Sequence, residues 1–250
     1  MPRIGTRKLY FILKNQLLSL GIGRDKLFAI MKANQMRIYP KRNYRVTTNS
    51  YHRFHKHADT VTGTSIVRPE QVWVSDITYV GSTKCYNYLA LITDAYSKKI
   101  VGYEICDNMT ATSTLKALQM ALKNRVNDHK LIHHSDRGLQ YCSGLYTKLL
   151  IDNNIDISMT IDGDPYENAI AERINGILKD EFGLGETIPT QNEAIKMVRQ
   201  AVEIYNTIRP HLSNHYVTPL KMHQQSKITP KLWHKKSRST LQSAPALIPS

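Results

Sequence analysis

Cysteine is scarce in this chain of 250 residues, and the three that occur, Cys85, Cys106 and Cys142, lie far apart with no C-x-x-C pair. That excludes a disulfide scaffold and a zinc knuckle, and the thiols read as small core residues of a reducing compartment. No apolar run approaches the roughly 18 residues that would predict a membrane span. The start, Met1-Pro2-Arg3-Ile4-Gly5, has no apolar stretch of the kind a secretion signal needs, so a cytoplasmic location is expected. No internal repeat is present. Acid is missing from both ends: residues 1–69 hold 14 Lys/Arg against 2 Asp/Glu, and residues 183–250 hold 9 against 3. Only the centre, residues 70–182, tips the other way, with 11 against 15.

What is there follows from that charge map. A net charge of +14 points to a polyanionic partner, because each phosphate neutralised releases counterions. Two basic arms around a mildly acidic centre suit nucleic-acid grips flanking a metal-binding core. A uniformly basic ribosomal-type protein would have no need of the acidic centre. The apolar fraction of 41% is enough for a sizeable core.

Residues 1–40 predict two helices and a turn. Leu9, Ile12, Leu13, Leu17 and Leu20 recur at helical spacing, Gly21-Ile22-Gly23 breaks the pattern, and Arg24-Asp25-Lys26 opens a second helix. This is a helix-turn-helix-like arrangement, and it makes Arg24 and Lys26 candidate DNA contacts. Residues 41–69 read as a basic linker. From 70 the pattern turns to strands at 72–80, 86–94 and 99–105, spaced as an antiparallel meander. A helix at 111–126, a strand at 130–134, a helix at 143–153 and a strand at 155–159 follow. Next come a helix through Glu172, another at 190–206 and an irregular stretch broken by Pro210 and Pro219. The order βββαβαβα predicts a mixed α/β sheet with helices on its faces. The core is expected to span 70–222, and the basic tail, 223–250, is expected to be disordered.

Three carboxylates stand out. Asp76 lies in the strand-like run Val72 to Val80, where an acid is costly unless a cation or donors compensate it. Asp136 ends the run Leu131-Ile132-His133-His134-Ser135. Glu172 follows Asp136 with thirty-five residues between them, in a helical stretch. Hard divalent cations take oxygen ligands. A pair of metals about 4 Å apart can clamp the attacking and leaving oxygens of a phosphodiester. Lys179, seven residues after Glu172, falls on the same helix face and can meet a phosphate. Asn168 and Asn175 share that face, and Arg137 flanks Asp136.

These segments resemble a known family. Trp73-Val74-Ser75-Asp76-Ile77-Thr78-Tyr79, His134-Ser135-Asp136-Arg137-Gly138, Asn168-Ala169-Ile170-Ala171-Glu172 and Leu178-Lys179-Asp180-Glu181 occur in the order and spacing of the DDE transposases of bacterial insertion sequences. The closest pattern is the second-frame (OrfB-type) transposase of the IS-three family, whose core is similar to retroviral integrase. Tyr205-Asn206-Thr207-Ile208-Arg209-Pro210-His211 and Thr218-Pro219 fit its C-terminal pattern. The resemblance implies a ribonuclease H-like fold of five strands and Mg²⁺ or Mn²⁺ as cofactor, two ions bound. It also implies DNA cleavage and strand transfer at the element's ends. It assigns metal binding to Asp76, Asp136 and Glu172, and DNA contact to Lys179. It implies a homo-oligomer, since two DNA ends must meet. Relatives usually carry more helix before the Arg3-Ile4-Gly5-Thr6-Arg7 motif and often act fused to a first-frame (OrfA-type) protein, so such a partner is expected. Two readings compete: a ribonuclease H-like nuclease that cuts without joining, and a truncated, non-catalytic DNA-binding remnant.

Overall fold

The computed structural model describes residues 1–38, 55–82, 85–161, 168–228 and 230. Residues 41–54 of the expected basic linker and most of the expected tail lie outside the described residues. Two helices, α1 (Thr6–Ser19) and α2 (Arg24–Ala33), precede the sheet. The strands are β1 (Val72–Ser82), β2 (Cys85–Asp94) and β3 (Ile100–Cys106), then β4 (Leu131–Ser135) after α3 (Ala111–Lys123), and β5 (Ile155–Met159) after α4 (Gly144–Asp152). Helices α5 (Ala169–Phe182), α6 (Gln191–Thr207) and α7 (Pro219–His223) complete the chain.

The sheet order is β3-β2-β1-β4-β5. The first three strands form the expected antiparallel meander, and β4 and β5 run parallel to β1 on its other side. Helices cover both faces, so the inner strands bury side chains in both directions. On one face Trp73, Ala90, Ile92 and Val101 pack with Leu118 of α3 and Tyr146 and Leu150 of α4. On the other, Val80, Leu89 and Leu91 pack with Ile174 and Leu178 of α5 and Val198 and Tyr205 of α6. Helix α3 can lie this close to β3 because Gly102 has no side chain. A Cβ there would stand 2.2 Å from the Ala117 carbonyl oxygen.

Local chemistry sets the helix ends. Helix α5 stops at Gly183, which takes a left-handed φ of 76°. Helix α6 opens with Thr190, whose hydroxyl accepts from the Glu193 amide at 3.2 Å, the first half of a capping box. The stretch after α6 reads as irregular in sequence but holds a 3-10 turn, Leu212–Asn214, and α7. Both are too short to show a helical period. Helix α7 is fixed by its Thr218 cap and by Pro219 at its first turn. Its His223 ring lies 3.7 Å from Glu70 and 3.6 Å from Asp94, both buried. Glu70 also accepts from the Val126 and Asn127 amides at 3.0 and 2.8 Å.

The N-terminal helices share a small cluster of Leu17, Leu27 and Met31 and dock on the core. Lys8 pairs with Glu181 at the end of α5, and the Phe11 ring stacks on Tyr216 with centroids 3.7 Å apart. The buried Arg209 guanidinium donates to both Glu181 oxygens, at 2.8 and 2.9 Å. The described end of the linker lies against β5: Met159 N donates to Ala58 O, and Thr60 N to Ser158 Oγ at 2.9 Å.

Candidate active site

Asp76 shares the parity of Val74 and Val80 on β1, so its carboxylate faces α5. Asp136 is the first residue past β4. The parallel register sets Val72 beside Ile132 and Val74 beside His134. Carried two residues further, it brings Asp76 abreast of Asp136 at the same end of the sheet. Helix α5 crosses that end. Its N-cap residue Asn168 donates to Ser75 O at 3.0 Å, and Asn175, two turns on, donates to Asp76 Oδ2 at 2.6 Å. Glu172, in the first turn between these two anchors, is exposed. The Ile77 amide holds Asp76 Oδ1 at 2.9 Å, and the Gly138 amide holds Asp136 Oδ1 at 2.9 Å.

The electrostatics show how the other two acids act on Asp76. Burial, then the Asp136 carboxylate, and further on Glu172, push Asp76 up to about 7, against the Ile77 amide and Lys179, which pull it down. Burial also raises Glu172. A buried carboxylate raised by two neighbouring acids belongs to an oxygen donor set whose repulsion a hard divalent cation relieves. The residues present therefore fit such an ion. As placed, no three His, Cys, Asp or Glu side chains among the described residues close into a ligand group. Glu172 lies in the first turn of α5.

The other expected contacts divide. Lys179 is half-buried in the last turn of α5 and acts on Asp76, so it belongs to the same site. Arg137 is half-buried beside Asp136. Asn168 and Asn175 are buried, and their amide donors are spent on Ser75 and Asp76. Arg24 and Lys26 lie on α2, away from the carboxylates, and Arg24 pairs with Asp25 at 2.9 Å.

Sequence reasoning missed the support behind the site. His133 Nε2 lies 2.6 Å from Ser75 Oγ and 2.8 Å from Tyr146 Oη. Burial first, then His134, holds this ring down to about 3, so it is neutral at the base of the site. Asp59 from the linker is buried against Ser158 and His134. The period of β4 signals that His133 points to the core side, but its partners come from two other elements, β1 and α4.

Residues 67–165 and 153–219 each match the family model described as "Integrase core domain". The chain is 37% identical over 230 residues to the "Insertion element IS600 uncharacterized 31 kDa protein" of Shigella sonnei, covering 89% of this chain and 83% of that one. The chain belongs to the IS3 family of insertion-sequence transposases. It is also 37% identical over 144 residues to transposase InsF for insertion sequence IS3A of Escherichia coli K12, covering 57% of this chain and 50% of that one. Among solved structures, the magnesium-bound HTLV-2 integrase catalytic core aligns with a TM-score of 0.50 at 18% identity, covering 63% of this chain and 98% of that one. A chain of the simian T-cell lymphotropic virus intasome in complex with PP2A regulatory subunit B56 gamma aligns with a TM-score of 0.54 at 17% identity, covering 94% of this chain and 80% of that one. These likenesses establish the ribonuclease H-like fold. The transposase is thus a DDE-type polynucleotidyl transferase of DNA integration and transposition. Among its described residues no helix is long and apolar enough to cross a membrane.

Proposed function

We propose that this chain cuts and joins DNA at the ends of its insertion sequence, with Asp76, Asp136 and Glu172 holding Mg²⁺ or Mn²⁺, two ions in the working state. One observation carries the reading: Asp76 is pushed to about 7 by its burial and by the two other acids of the motif. A divalent cation bound there supplies charge to activate the attacking oxygen and to stabilise the leaving one. The chain's own residues do the rest. Asn175 holds one oxygen of Asp76, and the Ile77 and Gly138 amides fix the two aspartates. Lys179 and Arg137 offer positive charge to the phosphate that approaches them. Arg24 and Lys26 on α2 supply a DNA grip remote from the chemistry. Assembly as a homo-oligomer, and fusion to a first-frame partner, belong to the same reading, because two element ends must be held together.

The test uses the purified chain, labelled DNA of the element end, Mg²⁺ or EDTA, and the Asp136→Asn variant. Nicking at the end is expected with Mg²⁺ only, and Asp136→Asn is expected to abolish it while keeping DNA affinity. If the variant loses binding as severely as cleavage, the carboxylate is part of the grip and the assignment fails.

A further inference from the structure

A cavity of about 830 Å³ lies between the docked N-terminal helices and the core, on the side of α5 turned away from Asp76. That volume is in the range of small-ligand sites. Helix α5 therefore has two working faces. Asn168, Glu172, Asn175 and Lys179 lie toward the carboxylates, whereas Ala169, Ile170, Arg173, Ile174 and Ile177 line the cavity.

Its polar wall is strongly cationic. Arg7 of α1, Arg173 of α5, Lys98 and Arg209 all line it. Arg209 is matched by Glu181, but Arg7 and Arg173 have no ion-pair partner among the described residues. A second, independent feature points into the same space. His211 lines the cavity, is only 8% exposed, and its Nε2 has no hydrogen-bond partner among the described residues. Its Nδ1 lies 2.8 Å from Ser213 Oγ. With the serine donating to Nδ1, the hydrogen sits on Nε2 and awaits an acceptor. Burial first, then Arg209, Lys98, Arg173 and Lys8, lowers His211 to about 2, which places four cations around a neutral ring. Opposite them the wall is apolar, with Phe28, Ile170, Leu212 and Tyr216.

We propose that this cavity seats a nucleotide of single-stranded DNA, its phosphate on Arg7, Arg173 and His211 and its base against Phe28, Ile170 and Tyr216. The pairing of excess positive charge with an apolar, aromatic wall matches a nucleotide's two chemistries. It also gives a role to the Arg209-Pro210-His211 motif, which the catalytic carboxylates leave unused. The inference rests on the DNA-strand chemistry proposed above, and places one strand on each face of α5.

The experiment is calorimetric titration of the full chain in EDTA with a thymidine trinucleotide and with its uncharged methylphosphonate analogue. Arg173→Gln, His211→Gln and, as a control of equal charge change on an exposed residue, Lys123→Gln are compared. The trinucleotide should bind, about tenfold more tightly than the analogue, and Arg173→Gln and His211→Gln should each weaken it about tenfold, or 1.4 kcal/mol. Lys123→Gln should leave it unchanged. Arg7→Gln replaces His211→Gln if thermal unfolding shows that the histidine variant does not fold. No binding, equal binding of the analogue, or equal losses in Lys123→Gln overturns the proposal. Because EDTA silences metal-dependent cleavage, none of these outcomes depends on whether the carboxylates work, and a failed nicking assay leaves this result untouched.

Discussion

Asp76 stands where an apolar side chain would be expected, between buried Ser75 and half-buried Ile77 on a central strand. Burial of a lone carboxylate is unfavourable, and that cost is what marks the residue in the sequence as a candidate ligand. Its partner Asn175 is less legible. Its spacing from Glu172 shows the face it occupies, but only the seat of α5 across β1 reveals that its amide meets a carboxylate oxygen and not a phosphate. Groups that orient ligands typically contribute about 10–100-fold to metal affinity. Asn175→Ala should therefore raise the Mg²⁺ concentration needed for half-maximal cleavage about tenfold, with DNA binding in EDTA unchanged. Asn175→Asp, which adds a fourth acid, should do worse. A metal titration of cleavage that overlays the parent protein would remove Asn175 from this role.

Among the elements, the strands and long helices of the core fall within a few residues of where period and punctuation put them. The 3-10 turn and α7 do not, because three or five residues show no period. The Thr218 cap is local, but the His223 contacts depend on groups far along the chain. Close packing between elements is equally hidden in sequence. Gly102 and Gly176 look alike there, but a Cβ at Gly102 collides with the backbone of α3, whereas one at Gly176 meets nothing within 4 Å. Gly102→Ala should cost about 1–3 kcal/mol by overpacking. Gly176→Ala, in the middle of α5, should gain up to about 1 kcal/mol from helix propensity. Chemical denaturation of the two variants checks the pair, and losses of equal size would refute the packing argument.

At the scale of the whole molecule, α7 closes the chain onto the start of β1, the end of β2 and the loop after α3 through one polar cluster. Burial pushes Glu70 up, but His223 and the Val126 and Asn127 amides outweigh it and bring it to about 2. Burial pushes His223 down, but its contacts to Asp94 and Glu70 outweigh it and raise it, against a smaller opposing effect of Lys99. The depressed Glu70 stabilises the fold above about pH 4.5 and ceases to as pH falls toward 2. The raised His223 stabilises fully below about pH 6.5 and ceases to as pH climbs through its folded value. The closure is thus strongest between these limits. His223→Gln should cost about 1–2 kcal/mol near pH 5.5 and less than half of that near pH 8.5. A loss independent of pH would mean that the ring acts only by packing.

Strand β1 is paired on both edges and covered on both faces, and Asp76 projects from its middle. Regions of that kind exchange their amide hydrogens only when the entire molecule opens. The N-terminal helices, held by a few side chains, can detach far more often. On the proposed function, heat or denaturant will therefore loosen the N-terminal DNA grip well before it displaces Asp76, and the last feature to disappear is the geometry around that carboxylate.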